Sequence, residues 1–207
     1  MNTATLQPPV LPAAPTYGSQ RAALSVALWV FMGVASVLLA LFLAAYVMRM
    51  NSSDWSPLAL PWQLRLSSLV LIAASLLLHA SQRTALAARW PASRRLLALG
   101  GAASLAFLAV QLAAWQALAA MQVPVAGNPA GSFFYLLTAM HGLHVLGGLV
   151  ICAVTLRHVW QASDAGPAWQ IGLCARYWHF LLALWLLLYA VLSWLTPQLV
   201  QTICGTR

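Results

Sequence analysis

Five long apolar runs dominate the 207-residue chain, at about residues 22–48, 63–81, 96–121, 131–156 and 174–195, and nearly all the charge lies between them. Each run is long enough for a helix to cross a hydrocarbon core of about 30 Å, which takes about 20 residues. The runs are continuous and rich in Leu and Ala rather than alternating over about ten residues, which argues against barrel strands. The pattern predicts an all-α, polytopic membrane protein of five transmembrane helices, forming a single membrane domain over 21–207. Residues 1–20 hold Pro8, Pro9, Pro12 and Pro15 without a charged side chain. They are expected to form a flexible, Pro-rich arm, and without a basic n-region they do not read as a secretory signal.

Composition sharpens this reading. Apolar residues make up 62% of the chain and charged residues 6%, against about a quarter charged in soluble domains. The net charge of +8 comes from arginine alone, and the arginines stand at the ends of the apolar runs. That placement marks topology and phospholipid contact rather than nucleic-acid binding. Arg21, Arg83, Arg89, Arg94, Arg95, Arg157 and Arg176 fall on one side, and Arg49, Arg65 and Arg207 on the other. The positive-inside rule then predicts a cytoplasmic N-terminus and a periplasmic C-terminus. Arg83, Arg89, Arg94, Arg95 and Arg176, with Trp178, are the candidate lipid contacts.

The fourth run carries the most distinctive polar pattern. Thr138, His141, His144 and Gly148 recur at spacings of three, three and four, so they share one helix face. A polar, small-residue stripe on a membrane helix faces protein or a cavity. Five histidines are present, His79, His141, His144, His158 and His179, and they admit two readings. Paired imidazoles ligate b-type haem, and His141 or His144 facing His179 would make such a pair. The alternative is hydrogen bonding between helices, favoured because His141 and His144 share a helix and the others lie towards run ends. Gln111 stands with Phe107 and Trp115 on one face of the third run, as a packing amide bonded to a neighbour or a quinone contact. Trp178, Trp185 and Tyr189 form an aromatic stripe that fits core or lipid. Gly142, Gly147, Gly148, Ala102, Ala103, Ala106, Ala109 and Ala113 permit close helix approach.

Two absences limit the chemistry. Asp54 and Asp164, the only acids, both lie between runs, which argues against ion-coupled transport or proton pumping by this chain alone. Cys152, Cys174 and Cys204 form no C-x-x-C pair, so neither a two-thiolate copper centre nor a zinc site is expected.

These residues resemble a known family. Phe133-Phe134, Thr138, His141-Gly142-Leu143-His144-Val145 and Gly148 are similar to the signature helix of subunit III of the haem–copper oxidases. Phe107-Leu108 with Gln111 and Trp115 resembles its preceding helix, Tyr177-Trp178-His179-Phe180 with Trp185 the start of its last, and Ala44-Ala45-Tyr46 the end of an early one. The four motifs occur in family order over about residues 25–195.

The resemblance implies the short, five-helix bacterial form, in the cytoplasmic (inner) membrane. It also implies a non-catalytic subunit of a cytochrome c oxidase in aerobic electron transport, with haem and copper in partner subunits I and II and none in this chain. Bound phospholipids and a role in assembly and stability come with it, and Thr138, His141, His144, Gly148, Gln111 and His179 become structural rather than ligating. The same fold in a quinol oxidase or a nitric-oxide-reductase-associated homologue is the nearest alternative, and a stand-alone b-type cytochrome a remoter one. The chain departs from the family pattern at Ala35, Ala114 and Leu182, where the pattern carries acids; a direct proton-antenna role is therefore not expected.

Overall fold

The computed structural model describes residues 17–50, 52–56, 58, 60–123, 128–161 and 168–195. It contains five helices: α1 (Tyr17–Arg49), α2 (Gln63–Leu86), α3 (Trp90–Ala120), α4 (Pro129–Gln161) and α5 (Ala168–Trp194). All five are long and apolar enough to cross a membrane. The predicted arm is shorter than expected, because α1 already begins at Tyr17; the rest of it, with its four prolines, lies outside the described residues.

The apolar runs mark the helix centres and miss one set of ends. α2 and α4 continue five residues past their runs, and α3 and α5 begin six residues before theirs. A helix keeps its backbone bonds beyond the hydrocarbon, and arginine stems lie along the apolar surface while their heads reach water. Pro91 fits this extension, since the first turn of a helix tolerates a residue without an N–H. The turn from α2 to α3 is correspondingly tight. Ala88 takes a left-handed φ of 55°, and the Arg89 N–H closes back on the Thr84 carbonyl at 2.9 Å. Gln122 does the same after α3, at φ 57°, with Val123 N bonded to Leu118 O. Both are glycine-type caps made by residues that carry a Cβ.

The connections bring like ends together. At one end, Arg21 lies over Trp169 and His158 donates to Gln170, which joins α1 to α5 and α4 to α5. At the other, Tyr46 packs edge-on against Trp55 and Phe133, and Asn128 exchanges bonds with the backbone of Ser56. Asp54 sits there, 2.8 Å from Arg49. A side-chain hydrogen bond with Ser52, helped by the Arg49 charge, holds its carboxyl below the usual carboxylate value.

Packing is uneven. α2 and α3 approach closely through Gly100, where an added Cβ would stand 2.7 Å from Leu78 Cγ. Ser81 and Ser93 clasp the same pair by each donating to the other's carbonyl at 2.9 Å. α4 and α5 complete the core around Trp178, Trp185, Phe107 and Leu181, all at most 1% exposed. α1 lies outside this group against α4 and α5, and far less of it is buried than of α2 or α5.

Candidate functional site

The bundle interior is where the chain's polar side chains converge, and its geometry repeats. Trp178 on α5 donates its indole N–H to Ser104 on α3 at 2.7 Å, and Ser104 donates to the Gly100 carbonyl at 2.8 Å. Trp185, seven residues on, donates to Ser68 on α2 at 2.9 Å, and Ser68 donates to Leu64 O at 2.8 Å. Trp115 on α3 donates to Thr138 on α4 at 3.0 Å, and Thr138 donates to Phe134 O at 2.6 Å. In each relay the hydroxyl gives its proton to the carbonyl one turn back and accepts the indole with a lone pair. All three groups are thus satisfied in a medium where an unpaired polar group costs several kcal/mol.

The fourth-run stripe sits against these relays. Thr138 is a relay member, His141 and Gly148 are buried, and His144 is half-buried. Gly148 is required by contact: a Cβ there would lie 2.8 Å from Tyr177 Cε1 and 2.9 Å from Trp178 Cη2. Gly147 faces outward with nothing within 4 Å, and Gly142 meets only Leu108 at 3.8 Å. Of the alanines singled out on α3, Ala102, Ala106, Ala109 and Ala113 are exposed, so the close approach to α2 is made by Gly100 instead.

Of the five histidines, His179, His79 and His158 bond between helices, whereas His144 and His141 depart from that expectation. His144 bonds within its own helix, its Nδ1–H donating to Met140 O at 2.6 Å. Its tie to α5 is through the backbone, where the Tyr177 hydroxyl donates to His144 O at 3.0 Å. His141 reaches its neighbours by ring contact, edge-on to Phe107 with centroids 5.7 Å apart and 5.1 Å from Trp185, while its Nε2 has no hydrogen-bond partner. Gln111 also departs: it is buried on α3, and neither amide atom is bonded to a neighbouring helix. His179 turns to α2, with Nδ1 2.7 Å from Ser75 Oγ and Nε2 3.3 Å from His79 Nδ1. The structure therefore directs His179 and His141 to different neighbours and does not join them as a facing pair. Among the described residues, no three His, Cys, Asp or Glu side chains gather as a metal site.

Two further placements change the sequence reading. Trp178 is fully buried in the core and is not a lipid contact; the aromatic stripe on α5 faces inward. Arg176 is exposed and lies over the Trp29 ring of α1 at 5.8 Å. Arg83, Arg89 and Arg95 are also exposed at that end, and Arg94 is half-buried. Ala35, where the family pattern carries an acid, lines one groove with His141 and His144, and Ala114 is fully buried beside Leu118 and Phe134. An alanine opposite the histidines offers nothing for an imidazole nitrogen to bond, in keeping with the unpaired His141 Nε2.

The serines were the residues missed. Ser68, Ser75 and Ser104 each take part in a bond between helices, yet serine has no distinctive signal inside an apolar run. The one available clue was register: Gly100, Ser104, Phe107, Gln111, Ala114 and Leu118 recur at three and four along the buried face of α3.

Comparison with known proteins points the same way. A protein of Synechocystis named cytochrome c oxidase subunit 3 is 28% identical over 162 residues, covering 75% of this chain and 68% of its own length. Proteins of the same name from Anopheles gambiae and Lumbricus terrestris are 42% and 35% identical over 67 and 71 residues, covering 31% and 34% of this chain. These matches span only about a quarter of the animal proteins' length, 25% and 27%. Residues 21–196, nearly the whole five-helix bundle, match the family described as cytochrome c oxidase subunit III, and the chain belongs to that family.

Proposed function

We propose that the chain is a cofactor-free structural subunit of a bacterial cytochrome c oxidase, holding the catalytic subunit assembled and stable during aerobic electron transport. The observation that carries this reading is how the interior uses its polar groups. Three indoles, three hydroxyls and three carbonyls are joined in relays that tie α2, α3, α4 and α5 together. Family membership supplies the assembly, with haem and copper expected in partner subunits I and II. The arginine-rich end is placed in the cytoplasm by the positive-inside rule, in the inner membrane, where its guanidinium groups contact phospholipid headgroups.

The test is to purify the tagged chain in mild detergent and record what accompanies it. The expected result is co-purification of haem–copper catalytic subunits, and a flat reduced-minus-oxidised spectrum once this chain is separated from them. A chain that purifies alone with its own absorption at about 560 nm is a b-type cytochrome and overturns the proposal. Recovery with a quinol-oxidising partner reassigns the same scaffold to a different enzyme.

A further inference from the structure

The groove that Ala35 shares with His141 and His144 lies between α1, α4 and α5 and holds about 40 Å³ of free space. Phe42 of α1, Met140 of α4 and Leu188 of α5 form much of the rest of its wall, and apart from the two imidazoles its side chains are apolar. His141 is 4% exposed, and its Nε2 has no hydrogen-bond partner. The groups around the ring have nothing to give it. Phe107 meets it edge-on, and Trp185 has committed its indole N–H to Ser68. The Thr138 hydroxyl, one turn earlier, already donates to Phe134 O and accepts from Trp115.

The groove's other polar atom is also fixed by its surroundings. Asp54, the only acid among the described residues, is paired to Arg49 in the loop after α1, so no carboxylate stands by to hold an imidazolium. In the neutral His144 ring the Nδ1–H is spent on Met140 O, which leaves Nε2 with a free lone pair. A buried nitrogen without a partner is costly at membrane depth. Size and bonding then select what can enter. A water needs about 10–15 Å³ for its centre, so the groove admits one or two; organic ligands take about 300 Å³ or more. Water both donates and accepts, so it satisfies His141 Nε2 in either tautomer and still donates to His144 Nε2. An acyl chain filling the same space would leave both nitrogens unbonded.

We infer that this groove is a site for an internal water, bonded to His141 Nε2 and His144 Nε2 and roofed by α1, where the small side chain of Ala35 leaves it room. The inference depends on how α1, α4 and α5 pack and not on the oxidase partner. A chain that purifies alone yet holds the water would defeat the earlier reading and leave this one standing.

The experiment is X-ray radiolytic footprinting of the purified protein with whatever partners it retains. Radiolysis turns a bound water into a hydroxyl radical that oxidises the side chains touching it, and peptide mass spectrometry reads the rate. Met140 in the groove wall is the reporter, Met32, 5% exposed and outside the groove, the dry reference, and Met48, 79% exposed, the outer one. Met140 should oxidise severalfold faster than Met32. In His141→Phe, which keeps a ring but removes one of the water's two partners, the Met140 rate should drop to that of Met32 while Met48 keeps its own. Should that variant fail to assemble, Ala35→Leu must give the same loss by filling the space. A Met140 rate no higher than that of Met32 means a dry groove and overturns the inference. A fast rate indifferent to these substitutions also overturns it, since the oxidant would then reach Met140 from outside the groove.

Discussion

α1 and the group α2–α5 are built by opposite means from the same kind of apolar sequence. α1 has the longest apolar run, yet it buries only Met32, Ala35 and Tyr46 among its described residues, and half-exposed aromatics make its other ring contacts: Phe31 against His144 and Tyr177, and Trp29 beneath Arg176. The other four are joined by relays in which each indole N–H has a specific hydroxyl, and by glycines that leave no room for a side chain. In a bilayer the hydrophobic effect does not drive helices together, so packing and hydrogen bonds between them decide which contacts hold. Apolarity places a helix in the membrane, whereas small and hydroxyl residues place it against its neighbours.

The largest effect should come from filling the tight contacts. Gly148→Leu must displace Tyr177 or Trp178, and Gly100→Leu must displace Leu78. Each is expected to cost about 1–3 kcal/mol or to abolish assembly, read as the midpoint of SDS- or heat-induced unfolding. Gly147→Leu and Gly33→Leu, with nothing within 4 Å, should leave that midpoint unchanged. Equal damage from the inward and outward glycines would break the comparison.

Next come the relays. Trp178→Phe and Trp185→Phe keep most of the ring and remove the N–H, and each should cost about 1 kcal/mol. A double-mutant cycle with Ser104→Ala should couple to Trp178→Phe and not to Trp185→Phe, because the two indoles end on different hydroxyls. On α1, Phe31→Ala removes a ring that is 46% exposed and should cost less than either relay. An effect as large as a relay's would mean that α1 belongs to the core.

The smallest effect is expected at the end that carries Asp54. Asp54 and Arg49 are each 51% exposed, and such pairs contribute little. Because the folded carboxyl titrates below its ordinary value, whatever it adds is present above the unfolded value of about 3.9 and is lost only as pH falls through the folded one. Asp54→Asn should therefore leave the unfolding midpoint unchanged at neutral pH, and any difference from the parent should shrink on acidification.

The number and order of helices were legible because a run of about 20 apolar residues has one physical use in a membrane protein. The buried face of α4 was legible too, because Thr138, His141 and Gly148 stand at helical spacing. The helix ends at the basic side were not, since hydropathy changes at Arg83, Arg94 and Arg157 while backbone hydrogen bonding continues. Trp178 was misread as a lipid contact because tryptophan suits both an interface and a core, and only the hidden partner Ser104 decides between them. For Gly100 and Gly147 the sequence shows the same residue in similar surroundings; which one a neighbour touches depends on how the helices are rotated.

If the bundle interior serves only to hold the helices together, as proposed above, His141 should be dispensable for any cofactor. Its ring stands edge-on to Phe107 and tilted against Trp185, so His141→Phe keeps an aromatic body in place and removes both nitrogens. The measurement is haem content per assembled complex, together with the reduced-minus-oxidised spectrum. The expected result is an unchanged haem ratio and an unchanged band position. A variant that assembles normally but loses haem, or shifts its band, would contradict it.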